Sequence, residues 1–173
     1  MTKFEKVSLA RYQEDRAEIL LKEGLSREEA YKIAEQEYAG IEMPRRGTLF
    51  SAGYDIRTPA AYRLEPGQSL VIPTGLRIAM EEDMWLGVYI RSSLGFKYQV
   101  RLSNSVAVID ADYYGAENEG HLRISLYNGG DRVLELAAGD AFAQGILQKY
   151  YKTDDDDPVR KVRKGGIGST NHS

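Results

Sequence analysis

The sequence predicts a mainly β protein, a jelly-roll-like barrel or sandwich with an N-terminal helical hairpin and a flexible C-terminal arm. Three observations predict it. From Gly47 to Leu147, short apolar or alternating runs recur between turn residues, the mark of many short strands. Before them, apolar residues at helical spacing fill 12–38. After them comes a charged, glycine-rich end with little to bury.

Taken in order, Lys3–Leu9 alternates loosely and reads as a first strand. Ala17, Leu20 and Leu21, then Ala30, Ile33 and Ala34, fall at helical spacing, with Gly24 breaking the run. Ser26 and Glu29 form a capping box, each side chain satisfying a free backbone N–H at the start of a second helix. A helical hairpin is therefore expected between residues 12 and 39. Its apolar stripe suits packing onto the domain, and a protein partner for it stays unknown. Strands are expected at Tyr62–Leu64, Ser69–Ile72, Gly75–Met80, Trp85–Ile90, Leu122–Tyr127, Val133–Leu136 and Ala141–Leu147. They are separated by turns such as Glu65-Pro66-Gly67-Gln68 and Pro73-Thr74. Residues 1–152 read as one domain with the hairpin as an insertion at about 12–39. Residues 153–173 read as a mobile arm, acidic at Asp154–Asp157 and then basic.

Composition removes several functions. The chain has 173 residues, 23 basic against 26 acidic, for a net charge of −3. Polynucleotide-binding domains are usually strongly basic, so no polynucleotide is expected as partner. Cys is absent and only His121 and His172 are present. Disulfides and the His/Cys zinc of the nucleobase deaminases are thereby excluded. No apolar stretch reaches membrane-span length, and Met1–Ala10 lacks a signal-peptide core, so a cytoplasmic location is expected.

The stretch around which the chain is organised is Asn104–Gly115, NSVAVIDADYYG. Val106, Ala107, Val108 and Ile109 read as a buried strand that delivers Asp110 to the rim of a rigid scaffold. Taken alone, this is a strand ending in an acidic turn. Four more segments keep it company: Ser51–Pro59 (SAGYDIRTP), Arg91–Lys97 (RSSLGFK), Gly139–Ile146 (GDAFAQGI) and Gly165–Asn171 (GGIGSTN). In this order and at these intervals, the five segments resemble the five motifs of the trimeric deoxyuridine triphosphatase (dUTPase) family, from about Ile41 to the C-terminus.

That resemblance implies hydrolysis of dUTP to dUMP and pyrophosphate, assisted by Mg²⁺, in a homotrimer with shared sites. It implies that Asp110 orients the attacking water and accepts its proton, with Gln144 holding the same water or the phosphates. Arg91 and Ser92 match phosphate-contacting residues, and Ser93 stands where the family usually has glycine. Asp55 matches an aspartate that holds Arg91 or a metal-bound water. Asn104, Ala107, Val108 and Ile109 match the hairpin whose main chain reads uracil, with Ala107 in place of a glycine. Tyr113 matches the tyrosine under the deoxyribose, and Arg123 completes the substrate contacts on the domain. On the arm, Arg163, Ile167, Gly168, Ser169 and Thr170 would close over the nucleotide. Ile167 replaces the family's stacking aromatic. The family arginine position falls on Val162, so Arg163 or Arg160 would replace it. Residues 116–120 (AENEG) are an insertion. Two rival readings stay open: a dCTP deaminase relative, which would need a glutamate where Ser125 stands, and a catalytically idle nucleotide-binding relative.

Overall fold

The structure, a computed structural model, describes residues 1–157. Arg160, Arg163, Ile167, Gly168, Ser169 and Thr170, and with them the expected lid, lie outside the described residues.

β1 (Lys3–Lys6) leads into α1 (Leu9–Lys22), whose first turn is capped by the Ser8 hydroxyl accepting from the Arg11 N–H. α2 (Arg27–Ala39) begins at Ser26 with both halves of the capping box formed. The two helices pack through Ala17, Leu20 and Ala30. Small residues there let the helices approach closely. A buried ion pair ties them together: Arg16 donates from Nε to Glu37 at 2.8 Å, and the Tyr12 hydroxyl donates to the same carboxylate at 3.0 Å.

The remaining elements are short strands, as expected from turn residues every few positions. β2 (Arg45–Arg46), β3 (Tyr54–Arg57), β4 (Tyr62–Leu64), β5 (Ser69–Pro73), β6 (Leu76–Ala79) and β7 (Met84–Ile90) come first. A short helix, α3 (Ser92–Tyr98), comes next, then β8 (Val100–Leu102) and β9 (Ala107–Asp110). A 3-10 turn (Ala111–Gly115) leads to β10 (Arg123–Asn128), β11 (Leu134–Leu136) and β12 (Ala141–Lys149). The largest sheet runs β2-β3-β12-β7-β9, and a second runs β5-β10-β8. Two antiparallel pairs, β1-β6 and β4-β11, complete the strand pairing. The expected strands are all present, most with ends moved by a residue or two; the first, expected over Lys3–Leu9, stops at Lys6, and Leu9 already begins α1. Neither α3 nor the 3-10 turn was foreseen.

The period-two pattern explains which way each strand faces. In β10, Ile124, Leu126 and Asn128 are buried while Arg123, Ser125 and Tyr127 are half-exposed. Buried Asn128 is tolerated because its amide donates to the carbonyls of Leu64 and Arg132 and accepts from the Gly130 N–H. One core joins both layers. It holds Ile56, Ile72, Leu76, Leu86, Val88, Leu102, Leu126, Leu134 and Phe142 and reaches Tyr12 of the hairpin.

Candidate active site

The register of the five-stranded sheet sets the geometry of the site. Asp55 on β3 lies opposite Gln144 on β12, and Gln144 lies opposite Tyr89 on β7. Further along β7, Trp85 lies opposite Asp110 on β9. Residues directly opposite one another share a face, and so do alternate residues of one strand. Asp55, Gln144, Tyr89, Trp85 and Asp110 therefore project from one face of the sheet. Leu86 and Val88 point the other way, into the core.

At one end of this face stands a polar cluster. Arg91 comes directly after β7, and its N–H bonds the Phe142 carbonyl at 3.1 Å, which fixes where its side chain departs. Its guanidinium reaches the Asp55 carboxylate at 3.3 Å. The Arg91 side chain is 41% exposed, so this pair adds little stability, and its effect is to aim a cation outward. Gln144 lies in the same cluster, with its side chain over Gly53. A Cβ on Gly53 would collide with the Gln144 amide oxygen and sit 3.2 Å from its Cβ. Ser92 and Ser93, both exposed, occupy the first turn of α3 beside Arg91.

Along β9, Ala107 lies opposite Val88, so the loop joining β8 to β9 sits toward the Arg91 end of β7, and Asp110 with the 3-10 turn stands at the other end. The expected hairpin is not formed, since β8 pairs with β10 and β9 with β7. Asn104 is exposed in the loop between them, its carbonyl taking the Val106 N–H at 2.7 Å, and Ser105 adopts φ 65°. The strand expected to be buried is an edge strand with one face outward: Ala107 and Ile109 pack against the core, whereas Val108, on the outer face, is 57% exposed. Asp110 ends β9 and stands at the N-cap position of the 3-10 turn, where its side chain makes no capping hydrogen bond. It lines a cavity of about 560 Å³ together with Met80, Glu82, Met84, Ala111, Asp112 and Tyr150. Three carboxylates, Glu82, Asp110 and Asp112, stand on that rim.

Tyr113 is buried. Its phenol donates to the His121 carbonyl at 3.0 Å and accepts from the Asn118 amide at 2.7 Å. Arg123 turns toward the helical hairpin, donating to Glu18 at 2.9 Å and lying 3.6 Å from Asp15. Asp15 and His121 form a buried pair that sequence reasoning missed, since His121 entered only in excluding zinc. Burial works against the ionised form of Asp15, but the hydrogen bond from His121, with the charges of Arg11 and Arg123 nearby, holds its carboxyl below the ordinary 3.8. Gly53 was missed as well, its role visible only once β3 and β12 are paired.

Two further placements bear on chemistry. Ser125 faces Ser103 at 2.8 Å between hydroxyl oxygens, and Glu119 is taken by the Ser8 N–H and hydroxyl. Among the described residues no group of three or more His, Asp or Glu is placed to hold a metal ion, and no helix is long and apolar enough to cross a membrane.

Comparison with known proteins agrees with this arrangement. The dUTPase family model matches residues 39–171. A deoxyuridine 5'-triphosphate nucleotidohydrolase of Lactococcus lactis is 38% identical over 140 residues, covering 80% of this chain and 93% of that protein. The crystal structure of a Streptococcus mutans dUTPase superposes with a TM-score of 0.64 at 27% identity, covering 88% of this chain and 98% of the other. Only two residues lie beyond 171, so that match has to extend into the N-terminal segment ahead of the family region. A dUTPase of phage phi11 of Staphylococcus aureus, described with a coordinated structural Mg(II) ion, shares the fold at 22% identity with a TM-score of 0.58, covering 70% of this chain and 92% of the other. With the motif segments in the order the sequence places them and the family match running through all five, this chain belongs to the dUTPase family.

Proposed function

We propose that this protein is a dUTP diphosphatase that hydrolyses dUTP to dUMP and pyrophosphate, and that each of its sites is assembled from more than one chain of a homotrimer. The activity follows from family membership. The observation that carries the shared-site reading is the distance between the two ends of the sheet face. Gln144 and Asp110 are separated by four residues of β7 and two strand spacings. At ~3.3 Å per residue and ~4.8 Å per strand, their backbones are ~16 Å apart. A water attacking the α-phosphorus must touch both its base and its orienting groups, within ~3 Å of each. One chain cannot supply both, so the phosphate end of one protomer meets the Asp110 end of another.

Within such a site the roles divide by chemistry. Asp110, on a fixed strand end, orients the water and accepts its proton. Gln144 donates and accepts at the same water or at the α-phosphate. Arg91 and Ser92 bind the phosphate oxygens, the guanidinium as a planar fork and the hydroxyl as a directed donor. Ser93 adds a second hydroxyl there. Asp55 keeps Arg91 aimed. Main-chain groups of 104–109 read the uracil edge, with Ala107 setting how closely the base seats, and Tyr113 forms the floor under the deoxyribose. Arg123 tethers that floor's neighbourhood to the hairpin. Ile167 and the glycine-rich end, with Arg163, would cover the nucleotide.

Mg²⁺ enters with the triphosphate as part of the substrate, which suits a chain whose described residues build no resident metal cage and whose Asp55 is engaged by Arg91. Bound there, the ion would supply charge neutralisation to the phosphates.

The deaminase reading lacks its base. At the position that would need a glutamate, Ser125 meets only a serine hydroxyl across the strands, and Glu119 is committed to Ser8. The test is a panel of dUTP, dCTP, dTTP and UTP with magnesium and product identification. dUMP and pyrophosphate from dUTP alone are expected, with Asp110→Asn losing roughly 10²-fold or more in kcat while still binding substrate. Deaminated product from dCTP, or undiminished turnover by Asp110→Asn, would overturn the assignment.

A further inference from the structure

We propose that Asp15 and His121 form a positioning device for Tyr113, through which the N-terminal hairpin sets how strictly the site excludes ribose. This rests on the reading of Tyr113 as the sugar floor.

The geometry runs in an unbroken line. His121 is fully buried, and its Nε2 accepts the Gly75 N–H at 2.8 Å. A nitrogen that accepts from a backbone amide carries no proton, so in the neutral ring the proton sits on Nδ1. Nδ1 faces the Asp15 carboxylate, which accepts it. Both ring nitrogens are thereby satisfied and the imidazole can neither flip nor rotate. The backbone of the same residue then receives the Tyr113 phenol at 3.0 Å, and Asn118 clamps that phenol from the other side at 2.7 Å. The turn between them is tight. Gly120 has φ 69°, and a Cβ there would lie 2.7 Å from the Tyr113 carbonyl oxygen. A shift of His121 therefore passes directly to the tyrosine ring.

Asp15 itself belongs to α1, outside the family-model match of 39–171. It is 3% exposed, with Arg11 at 3.3 Å and Arg123 at 3.6 Å beside it. Removing its carboxylate leaves a buried Nδ1–H without an acceptor, and the ring has to move to find one. An apolar floor rejects a 2'-hydroxyl only by shape, so small displacements of that floor matter more for UTP than for any other step.

The experiment compares kcat and KM for dUTP and UTP in the full-length protein, with melting temperature and assembly size recorded for each variant. Asp15→Ala should raise the UTP-to-dUTP ratio of kcat/KM roughly tenfold, mainly through a lower KM for UTP. Asp15→Asn, which keeps an acceptor for Nδ1–H, should restore most of the discrimination. Arg16→Met breaks the ion pair inside the hairpin and should lower the melting temperature without changing the ratio. Tyr113→Phe keeps the ring but removes its tether, so it should shift the ratio as Asp15→Ala does, and the double variant should add little. It also reads the proposal if Asp15→Ala does not fold. A wild-type protein that leaves dUTP intact defeats the functional reading. A wild-type protein that prefers dUTP, with the ratio unmoved in Asp15→Ala and Tyr113→Phe or moved equally in Arg16→Met, defeats the positioning proposal alone.

Discussion

The proposed division of the site between chains makes a quantitative prediction about mixtures. Consider two variants: Asp110→Asn, which lacks the water's proton acceptor, and Arg91→Ala, which lacks the phosphate fork. Each is expected to be nearly inactive alone. Asp110 and the Arg91–Gln144 cluster lie at opposite ends of the sheet face, ~16 Å apart by strand spacing. Each site then draws Asp110 from one protomer and Arg91 from its neighbour. In trimers assembled at random from equal amounts of the two, half the Asp110 donors and half the Arg91 donors are intact. About one quarter of sites therefore combine two intact donors, and the mixture should regain about one quarter of wild-type activity. If both residues served one site within one chain, every site would carry a lesion and nothing would return. The assay is pyrophosphate release after denaturing the variants together and refolding them, against separately refolded controls. Mixed trimers verified by tagged chains that show no more than the sum of the two parents would refute the shared-site reasoning.

Single contacts give two other predictions. Gly53→Ala places a methyl where the Gln144 side chain now lies; the amide should swing away, so kcat is expected to fall about tenfold or more with little change in melting temperature. Acid should loosen the hairpin's anchorage. Burial opposes ionisation of both Asp15 and Glu119, yet the hydrogen bond from His121 and those from Ser8 hold them below 3.8 and 4.5 respectively. Groups lowered in the fold stabilise it fully above those ordinary values and lose that contribution as pH falls through the folded ones. A series of melting temperatures from pH 6 to pH 3 should therefore fall more steeply for the wild type than for Glu119→Gln, and equal slopes would remove Glu119 from the account.

The strands were legible because their signals are local. Alternation within β10 and turn residues on either side are enough to find an element, and Ser26 with Glu29 marks the start of α2 within four residues. α3 was not legible. It has seven residues, Gly95 in its middle and no side-chain cap, and it stops at Gln99 with φ 53°. Nothing in propensity separates it from a loop. The motif segments likewise gave Asp110, Arg91 and Gln144 as candidates without saying that one sheet face carries them. That fact needs the register of three strand pairs, which no local pattern encodes. Asp15 and His121 stand 106 residues apart and share no motif, so each looks ordinary until the hairpin is seen against the domain.

The hairpin and the 116–120 insertion, which look like separate additions to the family pattern, answer one another's needs. Glu119 sits at φ 59° beside Gly120 at φ 69°, a conformation that costs a non-glycine residue about 1 kcal/mol or more. Its carboxylate bonds both the N–H and the hydroxyl of Ser8, the residue that caps α1. One turn further along α1, Tyr12 packs beside His121, over Gly75, whose φ of 71° and missing side chain leave room for Tyr12 and Ile41. One more turn brings Asp15 to the His121 ring and Glu18 to Arg123. Without α1, His121 next to the insertion would be exposed and the insertion would lose the anchor of its strained turn. Without the insertion, α1 would keep Tyr12 but lose its cap partner. The helix is thus fastened along three successive turns to the segment whose backbone holds the Tyr113 phenol, which on the proposed reading makes it part of the frame of the site.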